Sequence, residues 1–259
     1  MRRILSASVA VAALTLTACG GSSSGGSPAD NPSGPLSGTI TVFAAASLTE
    51  SFTALGRQFE SGHPGTTVRF NFGPSSGLAT QIVNGAPADV FASASPKNMT
   101  QVSDAQAAGR SVVFATNTME IAVPQGNPAK IDSVDDLARK GVKVVLCAAT
   151  VPCGATARQV LANAKITVKA VSDEVDVKST LQKVGLGEAD AGVVYVTDVR
   201  SAGDEIEGVL IPDAVNASTD YPIATLTGSR NSALAQAFVD YVTSPAGRAE
   251  LSEAGFTTR

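Results

Sequence analysis

The sequence predicts an α/β fold with largely parallel sheets, arranged as two lobes. Three observations lead there. Strand-like and helix-like patterns alternate from residue 39 to residue 251. The central strand candidates are short, continuous apolar runs of the kind buried on both faces. Two extended segments lie outside the strand–helix units, where they can join one lobe to the other.

The elements follow in order. Residues 39–43 form a short β-branched and aromatic run, and residues 48–60 carry Leu, Phe and Ala at helical spacing. Residues 67–72 alternate as a strand, and residues 76–84 read as a helix ended by Gly85. Val90, Phe91 and Ala92 make a further strand, followed by a helical pattern over 98–108. Residues 120–123, 142–146 and 192–195 are apolar runs suited to buried strands, with helical patterns at 155–164 and 177–184 between them. Residues 114–118 and 220–223 are the extended connectors, so the second lobe reads as an insertion into the first. Residues 231–251 then return to the first lobe as one helix. On this division lobe 1 comprises residues 38–117 and 222–259, and lobe 2 residues 118–221. No repeat of fixed period appears.

Ahead of the fold, Arg2 and Arg3 precede an apolar run over residues 4–16. The run is too short for a comfortable membrane span and suits a secretory signal, here residues 1–18. It ends in Leu16-Thr17-Ala18-Cys19, which resembles the bacterial lipobox. That resemblance implies that Cys19 is lipidated and holds the protein at the outer face of the cell membrane. Residues 19–37 are nearly all Gly, Ser, Pro, Asp and Asn, which cannot bury enough apolar surface to fold and so predict a flexible tether.

The remainder is globular in composition, and the chain overall is 44% hydrophobic and 16% charged. A formal charge of −4 leaves no basic stripe to neutralise phosphates, which argues against nucleic acid as a partner. An anionic ligand would have to be caught by local dipoles, not by a broad positive field. Three cysteines are present. Cys147 and Cys153, close in sequence and exported, are expected to form a disulfide. Two free buried thiols, or half of a metal site, are the alternatives; the second is weakened because His63, the single histidine, lies far away in the chain.

Four strand-to-helix junctions share one chemistry. At the first, Ser47 and Glu50 have capping-box spacing. The second runs Gly73-Pro74-Ser75-Ser76-Gly77; the third, Val151-Pro152-Cys153-Gly154, places Pro152 for a first helical turn; the fourth, Glu174-Val175-Asp176-Val177, enters the helix that carries Lys178. Taken singly, each is ordinary turn and capping chemistry. Together they gather helix N-termini, whose unpaired N–H groups and positive dipole ends bind anions without formal charge. A fully deprotonated oxyanion only accepts hydrogen bonds, so serine hydroxyls and amides suit it.

The run Thr39-Ile40-Thr41-Val42-Phe43-Ala44-Ala45-Ala46-Ser47-Leu48 resembles the start of the molybdate-binding proteins (ModA) of ABC importers. So do Gly85-Ala86-Pro87-Ala88-Asp89-Val90-Phe91, Ala191-Gly192-Val193-Val194-Tyr195 and Tyr221-Pro222-Ile223-Ala224, in the same order. The resemblance implies a two-lobed periplasmic-binding-protein fold (type II) that closes on molybdate or tungstate and delivers it to a permease and its ATPase. It implies Ser47 and Ser75 as the serines of the ligand site, Cys153 and Val177 as backbone N–H donors, and Tyr195 as the tyrosine. It implies no cofactor and no catalysis, molybdenum entering only inside the bound oxyanion, and a monomer. Two departures stand out: Pro74 removes one possible N–H donor, and Cys153 replaces a small apolar residue. A bridge to Cys147 would turn the Cys153 side chain away from the anion and hold the helix N-terminus in place.

Two rival readings remain at this level. Gly73-Pro74-Ser75-Ser76-Gly77 matches the G-x-S-x-G of serine hydrolases, but no histidine follows it to complete a triad. Sulfate would suit the same donors, whereas a phosphate that keeps a proton needs an acceptor as well. No P-loop, dinucleotide fingerprint or zinc spacing is present.

Overall fold

A computed structural model describes residues 36–258. The signal segment, Cys19 and the tether up to residue 35 lie outside the described residues.

The chain opens with β1 (Gly38–Ala45), a 3-10 turn (Ala46–Leu48), α1 (Thr49–Gly62), β2 (Thr66–Gly73), α2 (Ser75–Val83), β3 (Val90–Ala92) and α3 (Pro96–Asp104). It continues through β4 (Val112–Pro124), β5 (Val144–Cys147), α4 (Pro152–Asn163), β6 (Ser172–Glu174), α5 (Val177–Gly185), β7 (Ala191–Tyr195), α6 (Val196–Ser201) and β8 (Ile206–Leu210). It returns through β9 (Ser218–Thr225), α7 (Ser232–Thr243), α8 (Pro245–Glu253) and β10 (Thr257–Thr258).

The strands run in the order β2-β1-β3-β9-β4-β7-β5-β6, with β8 and β10 also against β4. Pairing is parallel among β1, β2 and β3 and among β5, β6 and β7. It is antiparallel wherever β4 or β9 takes part. β4 makes the architecture two-lobed. Its residues up to Thr118 pair with β9, and from Met119 onward it pairs with β7 and β8. The two connecting strands are tied at that change-over, where Asn216 Oδ1 accepts from Met119 N–H (3.2 Å) and its Nδ2 donates to Met119 O (2.9 Å).

Each half-sheet has its own core. Met119, Ile121, Val144, Val160, Val193 and Tyr195 belong to one; Ile40, Val42, Phe52, Phe59, Tyr221 and Phe238 belong to the other. The period of two along β1 sends Ile40, Val42 and Ala44 into the second core and Phe43 to the opposite face, where Leu78, Phe91 and Met99 cover it.

Four local expectations change. The connector at 114–118 and the strand at 120–123 are one strand, β4. The predicted helix at 231–251 is two, broken where Ser244 turns extended (ψ 167°) and Pro245 starts α8; proline has no N–H and cannot continue the preceding ladder. α3 starts two residues earlier than the apolar pattern, on Pro96, and ends by Asp104, with Gln106 left-handed (φ 57°) just beyond it. Ser47 does not cap α1: it lies inside the 3-10 turn, Leu48 is the N-cap, and no side chain closes that end. The Ser47–Glu50 capping box is therefore absent, and both side chains are free for longer-range partners.

Candidate oxyanion site

The carboxyl ends of β1, β2 and β7 and the first turns of α2, α4 and α5 converge on one cavity between the half-sheets. All five residues singled out above line it: Ser47, Ser75, Cys153, Val177 and Tyr195. Each is buried, none more than 5% exposed. The cavity volume is about 20 Å³ measured to the centres of water-sized spheres. That is room for a compact ion and not for a sugar or peptide.

The local sequence explains each donor. The first three N–H groups of a helix have no intrahelical acceptor. At α2 these belong to Ser75, Ser76 and Gly77, and Pro74, at the N-cap, contributes none. At α4 the first position is Pro152, which leaves the amides of Cys153 and Gly154. At α5 the Asp176 carboxylate also lines the cavity but is engaged as the N-cap, accepting from Ser179 N–H (2.8 Å), so Val177 and Lys178 keep free amides. No lysine or arginine lines the cavity.

The hydroxyls are oriented by partners behind them. Ser75 Oγ accepts from Ala94 N–H (2.9 Å). Ser47 Oγ lies 2.8 Å from Tyr221 Oη. The Tyr195 hydroxyl is wholly buried and makes no hydrogen bond of good geometry, although Thr156 and Tyr221 are its neighbours. Burial pushes its pKa well above the usual phenol range, so it stays neutral and keeps its hydrogen. A buried hydroxyl without a partner costs free energy, and a ligand acceptor in the cavity would relieve it.

The α4 end is held rigidly. Cys147, closing β5, and Cys153, in the first turn of α4, form a disulfide with Cα atoms 5.8 Å apart. This resolves the choice left open by the sequence against free thiols and against a metal half-site; among the described residues no cluster of histidine, cysteine and carboxylate side chains can hold a metal. The Cys153 side chain is thereby committed to the bridge, leaving its backbone to the cavity. Gly154 permits the close seating: a Cβ there would lie 2.0 Å from the Ala148 carbonyl oxygen.

Behind Tyr195 sits a charge cluster that sequence reading missed. Asp198 is fully buried, its Oδ2 accepting from Tyr195 N–H (3.2 Å) and its Oδ1 3.1 Å from Lys178 Nζ. Burial pushes the Asp198 pKa up to about 6, against the pull of Lys178. Burial works against the Lys178 ammonium too, but Asp198 and Glu50 outweigh it and raise its pKa. Glu50 Oε2 is 2.7 Å from Lys178 Nζ, linking α1 to α5. The spacing of Asp198, three residues after Tyr195 at the start of a helix, was the available signal. Tyr221 gave none, since its contact with Ser47 spans 174 residues.

Helix ends and buried hydroxyls gathered around so small a pocket are the arrangement expected of a binding protein for a small anion. Residues 40–257 match the bacterial extracellular solute-binding proteins, and the chain belongs to that family. Within it, the chain is 46% identical over 244 residues to the molybdate-binding protein ModA of Mycobacterium tuberculosis, covering 93% of this chain and 92% of the relative. It is 33% identical over 236 residues to ModA of Escherichia coli, covering 86% and 90%. The periplasmic molybdate-binding protein of Azotobacter vinelandii shares the fold (TM-score 0.77, 21% identity, 85% of this chain and 99% of that one). So does the sulfate-binding protein SubI of Mycobacterium tuberculosis (TM-score 0.73, 18% identity, 84% and 86%).

Proposed function

We propose that this protein captures molybdate, or tungstate, outside the cytoplasm and delivers it to an ABC permease driven by its ATPase. One observation carries the reading: a cavity of ionic size lined by helix-end amides and hydroxyls, its one carboxylate (Asp176) engaged as a helix cap and the Tyr195 hydroxyl buried there unpaired. Such a lining donates hydrogen bonds and supplies no positive charge, which suits an anion that only accepts. In this reading Ser47, Ser75 and Tyr195 donate through hydroxyls, and Cys153 and Val177 through backbone N–H groups. The relatives named molybdate-binding proteins support the choice of oxyanion.

The lobes, residues 38–117 with 222–259 and residues 118–221, close about the crossing strands near Met119 and Asn216. Lipidated Cys19 anchors the protein, and residues 19–37 tether it above the membrane. The protein acts as a monomer and without catalysis. His63 is a poor partner for Ser75: it stacks on Phe59 and bonds the Phe59 carbonyl, at the start of β2. Ser75 follows the other end of that eight-residue strand, a separation of roughly 25 Å.

The test is a thermal-shift series with molybdate, tungstate, sulfate and phosphate. Molybdate and tungstate should each raise the melting temperature at concentrations where sulfate and phosphate do not, a ligand at a hundred times its Kd adding about 2.7 kcal/mol. Stabilisation by sulfate alone would replace this reading with a sulfate receptor.

A further inference from the structure

We propose that Tyr221 is a positioning residue for the oxyanion site, donating its hydroxyl hydrogen to Ser47 so that Ser47 must direct its own hydrogen at the ligand. The inference rests on the oxyanion reading of the cavity and extends it to a residue outside the lining.

A serine hydroxyl has one hydrogen to give and two lone pairs to receive with. Facing an anion that only accepts, it helps if its hydrogen points into the cavity and repels if a lone pair does. Ser75 shows how the protein settles the question at one wall. The Ala94 N–H can only donate, so Ser75 Oγ accepts it and the Ser75 hydrogen is left for the cavity.

Ser47, beyond the end of the neighbouring strand β1, stands in the same relation to Tyr221. The distance, 2.8 Å, permits either direction of donation. The surroundings decide it. Tyr221 is 0% exposed, packed edge-on against Phe114, Phe256 and Tyr195. Burial, and Tyr195 beside it, hold the phenol well above its ordinary pKa, so its hydrogen is always present. Behind it, Asn117 reaches the same hydroxyl, with its Nδ2 also donating to Thr197 Oγ1 (2.8 Å). Were Ser47 to donate to Tyr221, the phenolic hydrogen would have to turn to Tyr195, its other hydroxyl neighbour, and Ser47 would offer the anion only lone pairs. Donation from Tyr221 to Ser47 leaves the hydrogens of both Ser47 and Tyr195 for the anion. Hydrogen bonds in such a chain also polarise one another, which strengthens the last donor.

Tyr221 lies on β9, one of the two strands that cross between the half-sheets, opposite Ala115 on β4. The residue that aims Ser47 is thus part of the connection about which the lobes close.

A double-mutant cycle on the full chain, read by calorimetric titration with molybdate, tests this. Tyr221→Phe keeps the ring and its packing and removes only the hydroxyl. In otherwise wild-type protein it should weaken molybdate binding by about 10-fold or more, the range for a hydrogen bond to a charged group. In the Ser47→Ala background it should weaken binding less than about 2-fold, because there is no serine hydrogen left to aim. Equal losses in both backgrounds, or no loss in either, would overturn the proposal. Should Tyr221→Phe fail to fold, proton NMR of the molybdate-bound wild type decides. A phenolic hydrogen of Tyr221 close to the Ser47 β-hydrogens supports the assignment, and one directed at Tyr195 refutes it. If the wild type bound sulfate and not molybdate, the molybdate reading would fail while the same cycle, run with sulfate, still judged Tyr221.

Discussion

The Cys147–Cys153 bridge offers a perturbation whose size follows from the chain itself. It closes a loop with a sequence separation of 6. In the chain-entropy treatment a loop that short restricts the unfolded ensemble by an amount worth about 2 kcal/mol at room temperature. For a folded unit of this size that corresponds to a melting-temperature change of roughly 4–8 °C. Both cysteines are buried, at 0% and 4% exposure, so a reductant added to folded protein acts only through opening. The assay is therefore equilibrium denaturation of oxidised protein beside protein reduced while unfolded and refolded under reductant. The reduced form should unfold at lower denaturant, with a slope equal to or slightly above that of the oxidised form because its unfolded chain is less constrained. It should also bind molybdate more weakly, because α4 presents the Cys153 and Gly154 amides from the turn the bridge holds. Coincident denaturation curves would refute the stability argument. Equal affinities would refute the claim that the bridge positions the α4 amides.

Three further outcomes follow from the same geometry. Asp198 has its pKa raised from 3.8 to about 6 by burial, so its ionised form is disfavoured in the folded state. That penalty, about 3 kcal/mol from ~1.4 kcal/mol per pH unit, is present above pH 6 and relieved as pH falls towards 4. Denaturation of wild type and Asp198→Asn across that window should therefore show wild type gaining stability relative to the variant as pH falls; a constant difference would contradict it. Glu50→Gln breaks, among the described residues, the only salt bridge between α1 and α5. Glu50 is half exposed, so the pair is worth roughly 0.2–1 kcal/mol; molybdate affinity should fall a few-fold in low salt and match wild type in high salt, and a loss independent of salt would remove the ion pair as its cause. Gly154→Ala forces a methyl against the Ala148 carbonyl and should destabilise by about 1–3 kcal/mol; a calorimetric melt indistinguishable from wild type would show that α4 is not seated tightly.

Much of the fold was legible because its signals are local. β1 announces itself by β-branched residues and an apolar face, and β3 was bounded correctly by Val90 and Ala92. β6 was missed because its three residues, Ser172–Glu174, are polar and its strand character comes from pairing with β5. The break at Ser244 was readable from Pro245, yet the apolar spacing on either side masked it. At the site, serines at strand-to-helix junctions pointed to anion chemistry on their own, whereas Tyr195 drew its role from family resemblance, since a tyrosine ending an apolar strand is ordinarily core. What sequence hid were long-range partners. Ser47 and Glu50 looked like a local capping pair, but the 3-10 turn releases one to Tyr221 and the other to Lys178. Asp198, buried behind Tyr195, was not singled out at all, because a lone carboxylate in a sequence carries no mark of burial.

Capture of an oxyanion by neutral donors is tested most directly by titration calorimetry of molybdate into wild type, Ser47→Ala and Ser75→Ala. Wild type should bind tightly, with an affinity that changes no more than a few-fold between low and high salt, and each alanine should cost about 1.5–3 kcal/mol. Absence of molybdate binding, or affinity untouched by loss of either hydroxyl, would contradict it.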